Sequence, residues 1–398
     1  MSTWICLVLF CVAAAPLTRA ELVRAVLDAH PEARVAAIAR DAAALDAAAP
    51  SVVPPLMVGL SAAPVSLGQH APGVAVDLAW ELPTGGMRRA STAVASAAVE
   101  GASAEVAMRR LALAARTSVA LDAVRRSDAA LAVLTHHRDA LVEAAQAVER
   151  RVAAGLVGPD GGPMARMAVL EAEERLVAAR ARRVVARAEL GSLLVGTGID
   201  LERALSAVDL GGSGPSSVGG GEVAMAAADL AMAEGDVRMA VADGRPMIEL
   251  MSGYSTMWAD VGHRWMVGVG VEVPLDGATR KARVDAAAAR ARAAAAQLTN
   301  EERRRDLAVA TARAMVEEAA AMAHLMEHEM APLAAERARL ARTAWEAGRG
   351  AYADWLAAEN DRVHVALRVA DAALDRARAE AMLAMAEGRL AGVDGGSR

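Results

Sequence analysis

The segment HLMEHEM, residues 324–330, sets His324 and His328 four positions apart, about one turn of an α-helix, with Met322, Met326 and Met330 near them in sequence. Imidazole and thioether are ligands that zinc or copper accepts. The competing reading is a long helix that packs through its methionines and leaves its histidines in solvent. That second reading is preferred, because no open coordination position is evident beside the pair. A second set of candidate groups is acidic. Asp77, Glu81, Glu249 and Glu272 alternate with apolar residues in short runs, so each run has one apolar side and one small or acidic side. Facing water in a pore, such carboxylates would make it tolerant of cations; as plain solvated charges they would occupy the same positions.

Catalytic arrangements are missing from the sequence. No nucleophile and base sit at a workable spacing, and no pair of acids suggests general acid–base work. GGSGPSSVGGG, residues 211–221, is rich in glycine but lacks the Lys-Ser/Thr that a phosphate-binding loop needs. Neither an enzyme nor a cofactor is expected, and no metal beyond the weak His324/His328 candidate.

The elements that would position these groups follow from composition and pattern. The 398-residue chain is 55% apolar, yet it has one Phe, two Tyr and six Trp, and most of its apolar content is alanine. Alanine is a strong helix former whose small side chain lets helices approach closely, so long helices packed side by side are predicted. The net charge of −6 argues against a nucleic-acid partner. At the start, MSTWICLVLFCVAAAPLTRA has an apolar run from Ile5 to Ala15, followed by Thr18-Arg19-Ala20. Residues 1–20 therefore read as a secretory signal cut before Glu21; a membrane-spanning helix would need roughly 20 apolar residues. Both cysteines, Cys6 and Cys11, fall inside this segment, and Phe10 is a poor fit to the small residue that lipidation of Cys11 would prefer.

The chain repeats itself. GVAVDLAWELPTGGMRRA from Gly73 overlays WMVGVGVEVPLDGATRKA from Trp265, so that Pro83 meets Pro274 and Gly86 meets Gly277. Each proline closes an alternating run and each glycine opens an alanine-rich helix. The stretches Gly86–Gly155 and Gly277–Gly348 are both about 70 residues long, or roughly 100 Å as helices. Residues 21–210 form a first repeat and 222–398 a second, joined by a flexible linker at 211–221. In each repeat a short helix (22–48; 222–243) leads to a strand pair (54–62 with 73–83; 246–256 with 264–274). A long helix, a glycine break and a returning helix (164–193; 354–390) follow. Strands of about ten residues, a secretory signal and the interfacial-type Trp80, Trp258 and Trp265 point to a membrane barrel. Four strands cannot close one, so several chains must share it.

These residues resemble the TolC-type outer-membrane efflux channel family, over nearly all of the mature chain. The most specific piece is ARTAWEAGRGAYADWLAAENDR, residues 341–362. WELPTGGMRRA and VEVPLDGATRKA resemble the strand-to-helix junctions of that family, Pro332 falls where many members have proline, and His30-Pro31 replaces an Asn-Pro. The resemblance implies a fold that is mainly α with a β-barrel part: a helical tunnel in the periplasm continued by a barrel to which each chain gives four strands. It implies a homotrimer in outer-membrane lipid of a Gram-negative bacterium, joined to an inner-membrane pump by a periplasmic adaptor. The helix turns at 155–163 and 348–354 would be the gated tips, with Gly155, Asp160, Trp345, Gly348, Arg349 and Asp354 at or near gate positions. Gly350 stands in place of a gate arginine, and the plainer role for Asp354 is an N-cap of the returning helix. The alternative from another class is a periplasmic coiled-coil adaptor without a pore, although such a chain would carry one helical hairpin rather than two.

Overall fold

The computed structural model describes residues 17–48, 56–63, 73–82, 86–207, 216–217, 221–256, 264–274 and 277–390. Pro83, Trp258 and the expected signal up to Pro16 lie outside them. The helices are α1 (Arg19–Ala29), α2 (Pro31–Ala48), α3 (Met87–Ala153), α4 (Gly161–Leu193), α5 (Leu201–Leu205) and α6 (Gly221–Ala242), then α7 (Gly277–His324), α8 (Ala331–Glu346) and α9 (Tyr352–Glu387). The strands are β1 (Met57–Ala63), β2 (Gly73–Leu82), β3 (Ser216–Ser217), β4 (Met247–Ser255), β5 (Trp265–Glu272) and β6 (Arg389–Leu390). The chain divides into two compact units. One holds residues 35–109 and 219–306, the other residues 1–34, 110–218 and 307–398.

The first unit holds the sheet. Its order is β1-β2-β4-β5, antiparallel throughout. The register sets Asp77 between Gly59 and Gly253, Glu81 opposite Glu249, and Glu249 opposite Gly270. Because side chains alternate across a strand, Val76, Leu78, Trp80, Leu250, Val267, Val269 and Val271 share the other face. Beside the sheet, α6 packs on the beginning of α3 through small residues. A side chain at Gly235 would reach within 2.4 Å of Val94, so only glycine allows this approach.

The second unit is helical. Its largest core joins α1 (Leu22, Val26, Leu27), α3 (Leu113, Leu121, Val124) and α4 (Leu190, Leu193). Helix α3 runs unbroken for 67 residues because nothing between Met87 and Ala153 stops it. Two expected helices are broken. The helix predicted over 22–48 parts at His30, whose extended backbone (ψ 133°) is the conformation that a following proline imposes. The helix predicted from Gly277 to Gly348 is interrupted by a π-turn over Leu325–Met330, in which the Ala331 N–H reaches back to the carbonyl of Met326. Pro332, in the first turn of α8, has no N–H and would crowd the carbonyl four residues earlier; the wider turn relieves this. The linker expected at 211–221 is partly structured: Ser216 and Ser217 pair with β6, and α6 starts at Gly221.

Thr18 caps α1 in a reciprocal box, its hydroxyl accepting from the Glu21 N–H while Glu21 accepts from the Thr18 N–H. Arg19 donates two bonds to Asp122, at 2.7 and 2.6 Å. Cleavage before Glu21 would remove both features. In the full chain, Thr18→Ala is expected to lower stability by about 1 kcal/mol in thermal denaturation.

Candidate functional site

The four acids singled out from the sequence share one face of the sheet. Asp77 and Glu81 lie on β2, Glu249 on β4 and Glu272 at the end of β5, and the pairing puts them all on the side occupied by Gly59, Gly253, Gly268 and Gly270. Glycine leaves room there: a side chain at Gly253 would come within 3.0 Å of Asp77. Glu81 directly opposite Glu249 is a like-charge pair, which is tolerable only where water reaches it. The opposite face is apolar and open, with Val267 82% exposed, Leu60 75% and Trp265 70%. A sheet of a water-soluble domain would cover that face. At the helix side of the sheet, Gly86 takes φ +91° ahead of α3, whereas Gly277 is the first residue of α7 without a positive φ. Pro274 stands two residues beyond Glu272, the last residue of β5.

The other unit gathers the predicted tips. After α3, Gly155 has φ +72°, and after α8, Gly348 has φ +72°. The Leu156 N–H donates to the Arg151 carbonyl at 2.9 Å and the Arg349 N–H to the Ala344 carbonyl at 2.9 Å, so both helices end in the same left-handed closure. Between them lies an aromatic cluster. Trp345 stacks on Trp355 with centroids 5.2 Å apart, and Tyr352 meets both, at 5.7 and 5.6 Å. The rings are buried against Leu141, Ala144 and Val148 of α3 and Ala165, Ala168 and Ala172 of α4. Trp345, expected near the gate, is therefore a core residue of the tip. Arg151 donates to the carbonyls of Trp345 (3.0 Å) and Glu346 (3.1 Å) and lies 5.1 Å over the Trp345 ring. It adds a bond to the Trp345 carbonyl, which also accepts from the Gly348 N–H at 3.0 Å, reaches the Glu346 carbonyl, and so ties α3 to α8.

The acids at the tips depart from expectation. Asp354 is not the N-cap of the returning helix. Helix α9 starts two residues earlier, because Tyr352 is drawn into the aromatic cluster, and Ala351 takes the cap position without a side-chain bond. Asp354 is an exposed third residue of the helix, where its charge suits the helix dipole. Asp160 takes the N-cap position of α4 but has helical backbone angles and makes no capping bond. Arg349 and Asp160 are likewise exposed.

Sequence reading missed three partners deeper in this unit. His137 of α3 and Glu359 of α9 are both buried, with Nδ1 and Oε1 3.4 Å apart, and Arg362 donates twice to Glu359, at 2.9 and 2.6 Å. Burial pushes the Glu359 pKa up, but the bonds from Arg362 and His137 outweigh it and hold the carboxyl at about 2. Tyr352 shifts the other way, burial pushing its phenol up to about 12, and its hydroxyl has no hydrogen-bond partner among the described residues. The close spacing of Trp345, Tyr352 and Trp355 in a chain poor in aromatics was the signal available for the cluster. A single histidine and glutamate far apart in sequence carried none.

At the π-turn, the two side-chain types of HLMEHEM part company. Met326 is buried and, with Met315, Met322 and Met382, lines a groove between α7 and α9. His324 and His328 are exposed and do not line it.

A profile of the outer membrane efflux protein family matches residues 22–196 and 221–389, most of the chain and one segment per repeat. The chain belongs to the outer membrane efflux protein family. No curated protein sequence matches it. Among solved structures, a membrane protein from Pseudomonas aeruginosa superposes with a TM-score of 0.78 at 20% identity, over 93% of each chain. The outer membrane protein VceC from Vibrio cholerae gives 0.76 at 18% identity, over 93% of this chain and 96% of that one. The MtrE outer membrane channel from Neisseria gonorrhoeae gives 0.78 at 19% identity, over 93% and 88%. At such identities the likeness speaks for the fold. This outer membrane efflux protein thus has a helical tunnel in the periplasm, and its four strands are one chain's share of a transmembrane barrel. No helix among the described residues is long and apolar enough to cross a membrane.

Two outcomes follow for the helical unit of this efflux protein. Tyr352→Phe keeps the ring and removes a buried hydroxyl without a partner, so thermal denaturation should show a gain of up to ~1 kcal/mol. Glu359 titrates at about 2 folded against 4.5 ordinarily, so its ionised form stabilises the fold above about pH 4.5 and that contribution is lost as pH falls towards 2. Wild type should melt well above Glu359→Gln at pH 7, and the gap should narrow steadily below about pH 4.5 and close only below about pH 2.

Proposed function

We propose that the protein is the passive exit duct of a tripartite export system. Three copies share one barrel, an inner-membrane pump supplies the energy, and a periplasmic adaptor joins pump and duct at the helical tips. The observation that carries this reading is the sheet. One face is apolar and uncovered, the other is lined by Asp77, Glu81, Glu249 and Glu272, and the chain is a member of an outer-membrane efflux family. The apolar face meets lipid and the acidic face lines the aqueous pore, which favours cations near its mouth. Cargo enters between the tips and leaves through the barrel without chemical change.

The closures at Gly155 and Gly348 and the Arg151 clasp hold the tips in a defined geometry, and the exposed Asp160, Arg349 and Asp354 are the charges available to close a gate around the three-fold axis. Gly350 in place of a gate arginine leaves Arg349 as the cation nearest to Asp354 along the chain. An adaptor without a pore would not need an uncovered apolar sheet face.

Planar-bilayer recording tests the reading. Wild type should form discrete channels with a small closed-state leak, and Asp354→Ala should raise that leak several-fold. An unchanged closed state in Asp354→Ala would remove this residue from the gate. A protein that stays soluble without detergent and is silent in bilayers would overturn the duct.

A further inference from the structure

The geometry points to a bidentate site for a borderline divalent cation, of the Zn²⁺, Ni²⁺ or Cu²⁺ class, formed by His324 and His328 across the π-turn. The inference is independent of the export reading. The two ring centroids are 4.7 Å apart and the ring planes are tilted by 56°. A cation held by two imidazole nitrogens at about 2.0–2.1 Å sits about 3.2 Å from each ring centre. Ligand angles of about 90–110° then place the ring centres roughly 4.5–5.2 Å apart, and the observed separation falls in that interval. Both imidazoles are exposed, and neither makes a hydrogen bond or ion pair with a described residue, so their nitrogens are available.

The surroundings define what kind of site this is. Met322 and Met326 line the groove against α9, which neither histidine lines. No third His, Cys, Asp or Glu joins the pair among the described residues. The protein therefore supplies two neutral nitrogen donors and water completes the shell. This suits ions that accept imidazole readily and disfavours Mg²⁺ and Ca²⁺, which want oxygen ligands. The place also gives binding a consequence. His324 precedes the π-turn and His328 lies within it, so a bound ion braces the one interruption between α7 and α8.

The test is titration of untagged, full-length protein in detergent with Ni²⁺ or Zn²⁺, followed by calorimetry. One ion per chain is expected, with affinity at least ten-fold weaker in His324→Asn and in His328→Asn and unchanged in His136→Asn, which alters an exposed histidine elsewhere. Both substitutions fall on exposed side chains, and circular dichroism would show that the fold is kept. Wild-type affinity in both single variants would overturn the site. So would a wild type that binds no more tightly than the His324→Asn/His328→Asn double variant.

Discussion

The structure depends on a constraint that a single chain cannot satisfy: a transmembrane sheet must have no free edge. Strands β1 and β5 end the four-stranded sheet, and each presents a row of backbone N–H and C=O groups. In hydrocarbon such groups cost several kcal/mol apiece, on the order of tens of kcal/mol per chain. No side-chain substitution removes that cost; only another strand does. With β1 at one edge and β5 at the other, copies join head to tail, and a closed ring is the arrangement that leaves nothing over. The acid-lined face and the uncovered apolar face then acquire an inside and an outside.

Each repeat meets the same local demands with slightly different means. Both long helices end at a glycine in the left-handed region with matching hydrogen bonds, so Gly155 and Gly348 are equivalent in structure as well as in sequence. The joints at the sheet are less symmetrical, since Gly86 has positive φ and Gly277 does not. The descending helices differ most. Helix α3 runs straight through, while Pro332 divides the second descent and forces the π-turn that brings His324 and His328 to notice. Packing at the tip is correspondingly unequal: α8 and α9 provide Trp345, Tyr352 and Trp355, and α3 and α4 provide mainly alanine and aliphatic surfaces to receive them.

Much of this was legible in the sequence, and the reasons are physical. Strand alternation, proline and glycine at the joints and two alanine-rich runs of equal length are short-range signals. They placed α3, α4, β2, β4 and β5 to within a few residues. The break at His30 was equally local and could have been read from Pro31. What escaped was set by contacts between segments distant in the chain. Asp354 lost its capping role because Tyr352 is pulled into the tip cluster, extending α9 by a turn's fraction, and that pull comes from α3 and α4. The His137–Glu359 pair spans 222 residues, and nothing in either neighbourhood announces the other. Arg151 looked like an ordinary basic residue at a helix end until Trp345 was placed beneath it.

The central claim is that this chain completes its sheet only with copies of itself. Native mass spectrometry of the full-length protein released from detergent tests it most directly. The account predicts a single species of three chains that survives gentle activation, with no stable monomer at low concentration. A folded monomer that persists in detergent, with the same circular dichroism as the assembled protein, would contradict it.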